Sequence, residues 1–141
     1  MIVYAESSAV LAWLLLEADG RKVEAILASA DRIVSSDLTL VECDRAVIRA
    51  TTMGRITAST AHKISADLQA AVGAWEMLRL VPAVIQRARQ SFPQEPIRTL
   101  DALHVAWALH ARNIQKDVVM LSLDERIRRV GKAVGLDLRP E

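Results

Sequence analysis

The chain has one cysteine, Cys43, in 141 residues. That excludes an intramolecular disulfide and fits a reducing cytosol. It also has no charge excess: 18 Lys and Arg stand against 17 Asp and Glu, leaving a formal +1. Overall charge therefore does not mark a nucleic-acid binder, and any positive surface has to be local. The longest apolar run, Ala9 to Leu16, is too short to span a bilayer. No charged segment precedes the first apolar stretch, so a signal peptide is not expected and a cytoplasmic protein without a membrane partner is. Low-complexity tracts and solenoid-type repeats are absent.

What is present is 52% apolar and 25% charged, the composition of an ordinary globular domain. The length suits a single domain over residues 1–141 with its own core. Met1 to Tyr4 reads as a buried strand, and Ser7 or Ser8 as the cap of a helix to about Leu16. Gly20 interrupts, and an amphipathic helix follows to about Ala30. Arg32 to Ser35 is strand-like. Thr39 and Glu42 have capping-box spacing for a helix to about Met53, stopped by Gly54. Ser59 to Val72 reads as helix, Met77 to Val81 as strand, and Pro82 to about Gln90 as helix. Phe92 to Ile97 is a loop. Thr99 to Arg112 is a helix apolar nearly all round, and Val118 to Leu121 a strand. Asp124 to Ala133 is a helix stopped by Gly135, and Leu136 to Leu138 a last edge strand. Short strands alternating with helices imply an α/β fold: a three-layer α/β/α sandwich with a short-stranded parallel sheet.

Four acids begin helical stretches close behind strands or turns: Glu6 in VYAESSAV, Glu42 in SSDLTLVECDRA, Asp101 in RTLDALHVA and Asp124 in VVMLSLDERI. In a parallel α/β sheet, sites form outside the carboxyl ends of the strands. A fold that gathers these residues there builds a carboxylate cluster, which is unfavourable without a cation such as Mg²⁺ or Mn²⁺. Singly, each acid has a plainer role. Glu42 completes a capping box with Thr39 or pairs with Arg45, while Asp101 and Asp124 favour a helix dipole. A charge directly after a buried strand, as at Glu6, needs more reason than that.

These segments resemble the motifs of PIN domains. YAESSAVLAWL is similar to the opening strand-loop-helix, SSDLTLVECDRA to the second acidic motif, RTLDALHVAWAL closely to the third, and LSLDERI to the fourth. Order and spacing match over essentially the whole chain, and the length resembles that of VapC-type toxins. The resemblance implies a metal-dependent endoribonuclease that is the toxin of a VapBC-type pair. Glu6, Glu42, Asp101 and Asp124 would be the catalytic, metal-binding carboxylates for Mg²⁺ or Mn²⁺. It also implies an RNA substrate, a homodimer and a cognate small antitoxin that places an Arg or Lys in the acidic pocket. The LAWLLL helix and the helix after it are the expected antitoxin-facing surfaces.

Glu6 departs from the pattern, where aspartate is usual. One methylene adds roughly 1.5 Å of reach, in a site where Mg²⁺ demands oxygens at about 2.0–2.1 Å. A second reading follows: a weak or inactive PIN domain acting as an RNA- or antitoxin-binding module. A third is a phosphatase or DNA nuclease on a similar scaffold. Ser8 is expected to orient Glu6 or a water, and Ser122 to do so for Asp124. Arg45, Arg126 and Arg129, with Arg49, Arg128 and Lys132 nearby, are candidates for holding RNA phosphates. The commoner role of such residues is a solvated helix face.

His104, one turn after Asp101, is expected to be a satisfied core histidine. No His or Cys pair has finger-like zinc spacing. Cys43 is expected to be a small core residue rather than a nucleophile. Trp107 is expected in the core, Trp13 in the core or at a partner surface, and Trp75 exposed.

Overall fold

The structure, a computed structural model, describes residues 1–141. Five strands form one parallel sheet: β1 (Ile2–Ala5), β2 (Arg32–Ser36), β3 (Glu76–Leu78), β4 (Val118–Leu121) and β5 (Asp137–Arg139), in the order β3-β2-β1-β4-β5. Ile-Val-Tyr-Ala in β1 has no polar position, and that suits a central strand buried on both faces. Val3 and Ala5 face one core, with Val119 and Leu121 of β4 beside them. Tyr4 faces the other, with Val118 and Met120.

The crossovers supply two helical layers. Helices α1 (Ser7–Leu14), α2 (Gly20–Ser29), α3 (Asp37–Thr52) and α4 (Ala58–Ala74) cover the first face, through Val10, Val23, Cys43 and Leu68 among others. Helices α5 (Pro82–Ala88), α6 (Thr99–Ile114) and α7 (Glu125–Ala133) cover the second, through Val84, Val105, Trp107 and Val130. The three-layer α/β/α sandwich expected from the alternation is therefore observed. The order runs outward from β1 to β3 on one side, then restarts at β4 on the other. The crevice at that switch lies over the carboxyl ends of β1, β2 and β4. No helix is long and apolar enough to cross a membrane.

Several local expectations change. Helix α3 is capped by Ser36, whose Oγ accepts from the Thr39 amide, so the Thr39–Glu42 box does not form and Glu42 is released for the crevice. Trp75 is half-buried, its ring 6.3 Å from that of Trp13, rather than exposed. Trp107 is in the core as expected, donating from Nε1 to the Arg79 carbonyl at 2.9 Å.

Gly20 opens α2 because that helix crosses α1 closely. A Cβ at this position would overlap the Ala12 carbonyl oxygen, a backbone atom that cannot swing aside. Gly20→Ala should therefore cost about 1–3 kcal/mol, the range for forced overpacking. A urea midpoint unchanged by the substitution would contradict this close approach.

Candidate metal centre

Glu6 follows β1 with extended backbone (φ −89°, ψ 155°) and is itself the N-cap of α1, the place expected for Ser7 or Ser8. It is 2% exposed. Oε1 accepts from Ser7 Oγ at 2.6 Å and the Ser8 amide at 3.1 Å. Oε2 accepts from Ser122 Oγ at 2.8 Å and from Ser8 Oγ. A carboxylate offers about four acceptor positions; the Ser8 amide, Ser8 Oγ and Ser122 Oγ fill three, and the one Ser7 proton is shared between Glu6 and Glu42. The glutamate's added length lets it reach Ser122 at the end of β4 while still capping α1.

Glu42 comes from α3, in the first layer, and points over the sheet edge. Its Oε1 accepts from Ser7 Oγ at 3.0 Å and meets Nε2 of His104, which comes from α6 in the opposite layer. Burial pushes the Glu42 carboxyl up, but the His104 bond and charge, with Ser7, outweigh it and hold the group below the usual range. His104 is fully buried, as expected of a core histidine, yet it is also part of the site. Its Nδ1 lies 3.2 Å from the Tyr4 hydroxyl, which donates to Ser36 Oγ at 3.2 Å. The ligand atoms of Glu6, Glu42 and His104 lie within 4.8 Å of one another.

Asp101 and Asp124 stand outside that tight group, each half-buried. Asp124 is the N-cap of α7; its Oδ1 accepts from the amides of Arg126 (2.8 Å) and Ile127 (3.3 Å). Its own amide donates to Ser8 Oγ at 3.1 Å and Ser122 Oγ at 3.2 Å. Asp101 projects from the first turn of α6. Burial, then the charge of Asp124, push its carboxyl above the usual range, with Arg98 opposing. Glu6 adds to the repulsion, so the four acids share one electrostatic field. No lysine or arginine is ion-paired with any of them. Hard oxygens with excess negative charge suit a hard divalent cation.

The basic run divides. Arg126 and Arg129 are exposed and, with Arg98, line a recess beside Asp101. Arg128 instead ties the chain end to the centre, donating to the carbonyls of Ser122 (2.9 Å), Arg139 (3.1 Å) and Pro140 (2.8 Å). Arg45 is exposed on α3, one turn from Glu42. Burial, with the charges of Glu6, Glu42 and Asp44, pushes the Cys43 thiol up to about 12, so it is an inert core residue at neutral pH.

The PIN domain family model matches residues 3–133. The chain belongs to the PIN domain family. Among solved structures, this PIN domain resembles FitAcB from Neisseria gonorrhoeae (TM-score 0.70, 17% identity, covering 98% of this chain and 96% of that one). It also resembles VapBC2 from Rickettsia felis, solved with a DNA fragment from its promoter (0.65, 14%, 99% and 98%). A third is the Mycobacterium tuberculosis toxin VapC20, which cleaves the sarcin-ricin loop (0.64, 15%, 92% and 95%). At these identities the likeness speaks for the fold. No curated protein matched the chain.

Sequence reasoning missed Ser7, Tyr4 and the site role of His104. His104 and Glu42 are separated by 62 residues and lie in different layers, so no local spacing announces the pair. The one available signal is the Ser-Ser pair that follows Glu6 behind the buried strand, which offers two hydroxyl donors where a carboxylate enters.

Proposed function

We propose that this PIN domain is a metal-dependent endoribonuclease and the toxin of a VapBC-type toxin–antitoxin pair. The observation that carries the reading is the set of four carboxylates around one crevice with no arginine or lysine ion-paired to them. Mg²⁺ or Mn²⁺ would be held by Asp101, Asp124 and Glu42, with Glu6 behind them. Such an ion, when bound, supplies an activated water and offsets charge on the phosphoryl oxygens. Arg126 and Arg129, with Arg98 beside them, hold backbone phosphates next to the centre, and Arg45 approaches from α3. Ser8 and Ser122 keep Glu6 and the Asp124 loop in register.

The partner reading has its own support. Trp13, Leu15, Leu16 and Ile56 line an apolar groove where α1, α2 and α4 meet, rimmed by Glu24, Lys63 and Asp67. Leu16 is 88% exposed there. This is the surface expected to take an amphipathic antitoxin segment, whose Arg or Lys would reach the acidic crevice. A homodimer in the cytoplasm completes the reading.

Glu6 favours a second reading, because most of its acceptor positions are already taken: a binding module with little cleavage. Incubating total cellular RNA with antitoxin-free protein, in Mg²⁺, Mn²⁺ or EDTA, separates the two. Discrete fragments that need the metal are expected. Intact RNA in both metals, from folded protein, would leave the binding module.

A further inference from the structure

His104 is a buried polar residue that the four-carboxylate scheme does not use. A ring nitrogen placed against a carboxylate oxygen bonds only as a donor, so Nε2 carries a proton toward Glu42 Oε1. On its other side, Nδ1 faces the Tyr4 hydroxyl, whose single proton can go either to Nδ1 or to Ser36 Oγ. Tyr4 in turn reaches Ser36, whose Oγ caps α3, the helix that carries Glu42. Ser36, Tyr4 and His104 thus form a buried line that begins at the base of α3 and returns to that helix through the Glu42 side chain. Every buried side-chain polar atom has a hydrogen-bond partner.

We propose that His104 is a positioning residue. Its Nε2–H holds Glu42 Oε1 and leaves Oε2, which has no hydrogen-bond partner, as the oxygen free for a cation. The histidine–carboxylate contact also joins the two helical layers across the sheet edge, fixing Glu42 from α3 relative to Asp101 on α6. Asp101 and His104 are three residues apart on α6, so they share a face and move together. This rests on the metal reading above, and the test separates the two.

The experiment is a Mn²⁺ titration of native protein and of His104→Leu, His104→Gln and Tyr4→Phe, with RNA binding in EDTA measured in parallel. Glutamine places an amide donor near the position of Nε2; leucine offers none. The leucine variant should bind Mn²⁺ about 10–100-fold more weakly, the usual scale for losing a group that orients a ligand. Glutamine should restore most of that loss, Tyr4→Phe should show a smaller loss, and RNA binding in EDTA should hold throughout. A purely structural role would lower the melting temperature of both His104 variants and leave their metal affinity alike. Native-like Mn²⁺ affinity in folded His104→Leu would overturn the proposal. If that variant does not fold, a glutamine variant as weak as Tyr4→Phe or weaker would overturn it.

Nitrogen-correlated NMR of the metal-free native protein supplies an arm independent of metal. An exchange-protected His104 Nε2–H that is lost in Glu42→Ala supports the pairing. Its absence overturns the proposal. A protected signal in native protein that binds no Mn²⁺ would support the His104–Glu42 pairing and overturn only the metal reading.

Discussion

Asp101→Asn should abolish metal-dependent cleavage and raise the melting temperature of the metal-free protein. On the nuclease reading, the rate effect follows from losing an anionic oxygen at the proposed cation site. Several kcal/mol of charge stabilisation at a metal site corresponds to about 10³-fold or more in rate. The stability effect has the opposite sign because the Asp101 carboxyl is raised by burial and by Asp124. A raised carboxyl means that folding disfavours the ionised form. Above both the folded and unfolded values that penalty is fully present; it is relieved as pH falls through the folded value. Asparagine keeps the shape and removes the charge. Because the group is only half-buried, solvent screening keeps the gain to about 2–4 °C. Scanning calorimetry in EDTA checks the sign, and the gain should shrink as pH drops through the carboxylate range. An equal or lower melting temperature at neutral pH would contradict the repulsion described at this site.

The second large effect is at Glu6, and it runs against what the family pattern suggests. Restoring the usual aspartate by Glu6→Asp should impair the protein. The shorter side chain can still accept from the Ser8 amide, but it falls short of Ser122 Oγ. Losing one hydrogen bond to a charged group costs about 1.5–3 kcal/mol, read as a lower urea midpoint. Cleavage should fall roughly 10–100-fold, because Ser8 and Ser122 also hold the Asp124 amide. A large gain in cleavage would instead identify the glutamate as a handicap and favour the weak-nuclease reading of the native chain.

The elements that were legible in the sequence are those with strong local signals. Val118–Leu121 is read correctly because a β-branched run flanked by turn residues has one reading, and the buried Thr99–Ile114 helix because it is apolar on all sides. The acids are legible through their positions in loops or first helical turns, Glu6 and Asp124 close behind β1 and β4. What local pattern could not give is how two layers meet. Thr39 and Glu42 have the spacing of a capping box, but Ser36 sits three residues before the Thr39 amide and takes the cap. Gly20 looks like a break and is instead a contact point, because the α1–α2 crossing is not written in either helix alone. His104 is apolar in context and polar in use for the same reason.

The parallel pairing of β1 with β4 has a consequence for the order in which the protein comes into being. Ile2 is registered with Val118 and Ala5 with Leu121, and the Glu6 amide donates to the Leu121 carbonyl. The central strand β1 is synthesised well before its neighbour β4. Chains emerge from the N-terminal end, and contacts between distant segments wait for both partners. Until residue 124 has been synthesised, Glu6 lacks Ser122 and the crevice lacks Asp124. On the ribonuclease reading, a nascent chain that stops short of residue 124 would lack a complete acidic centre.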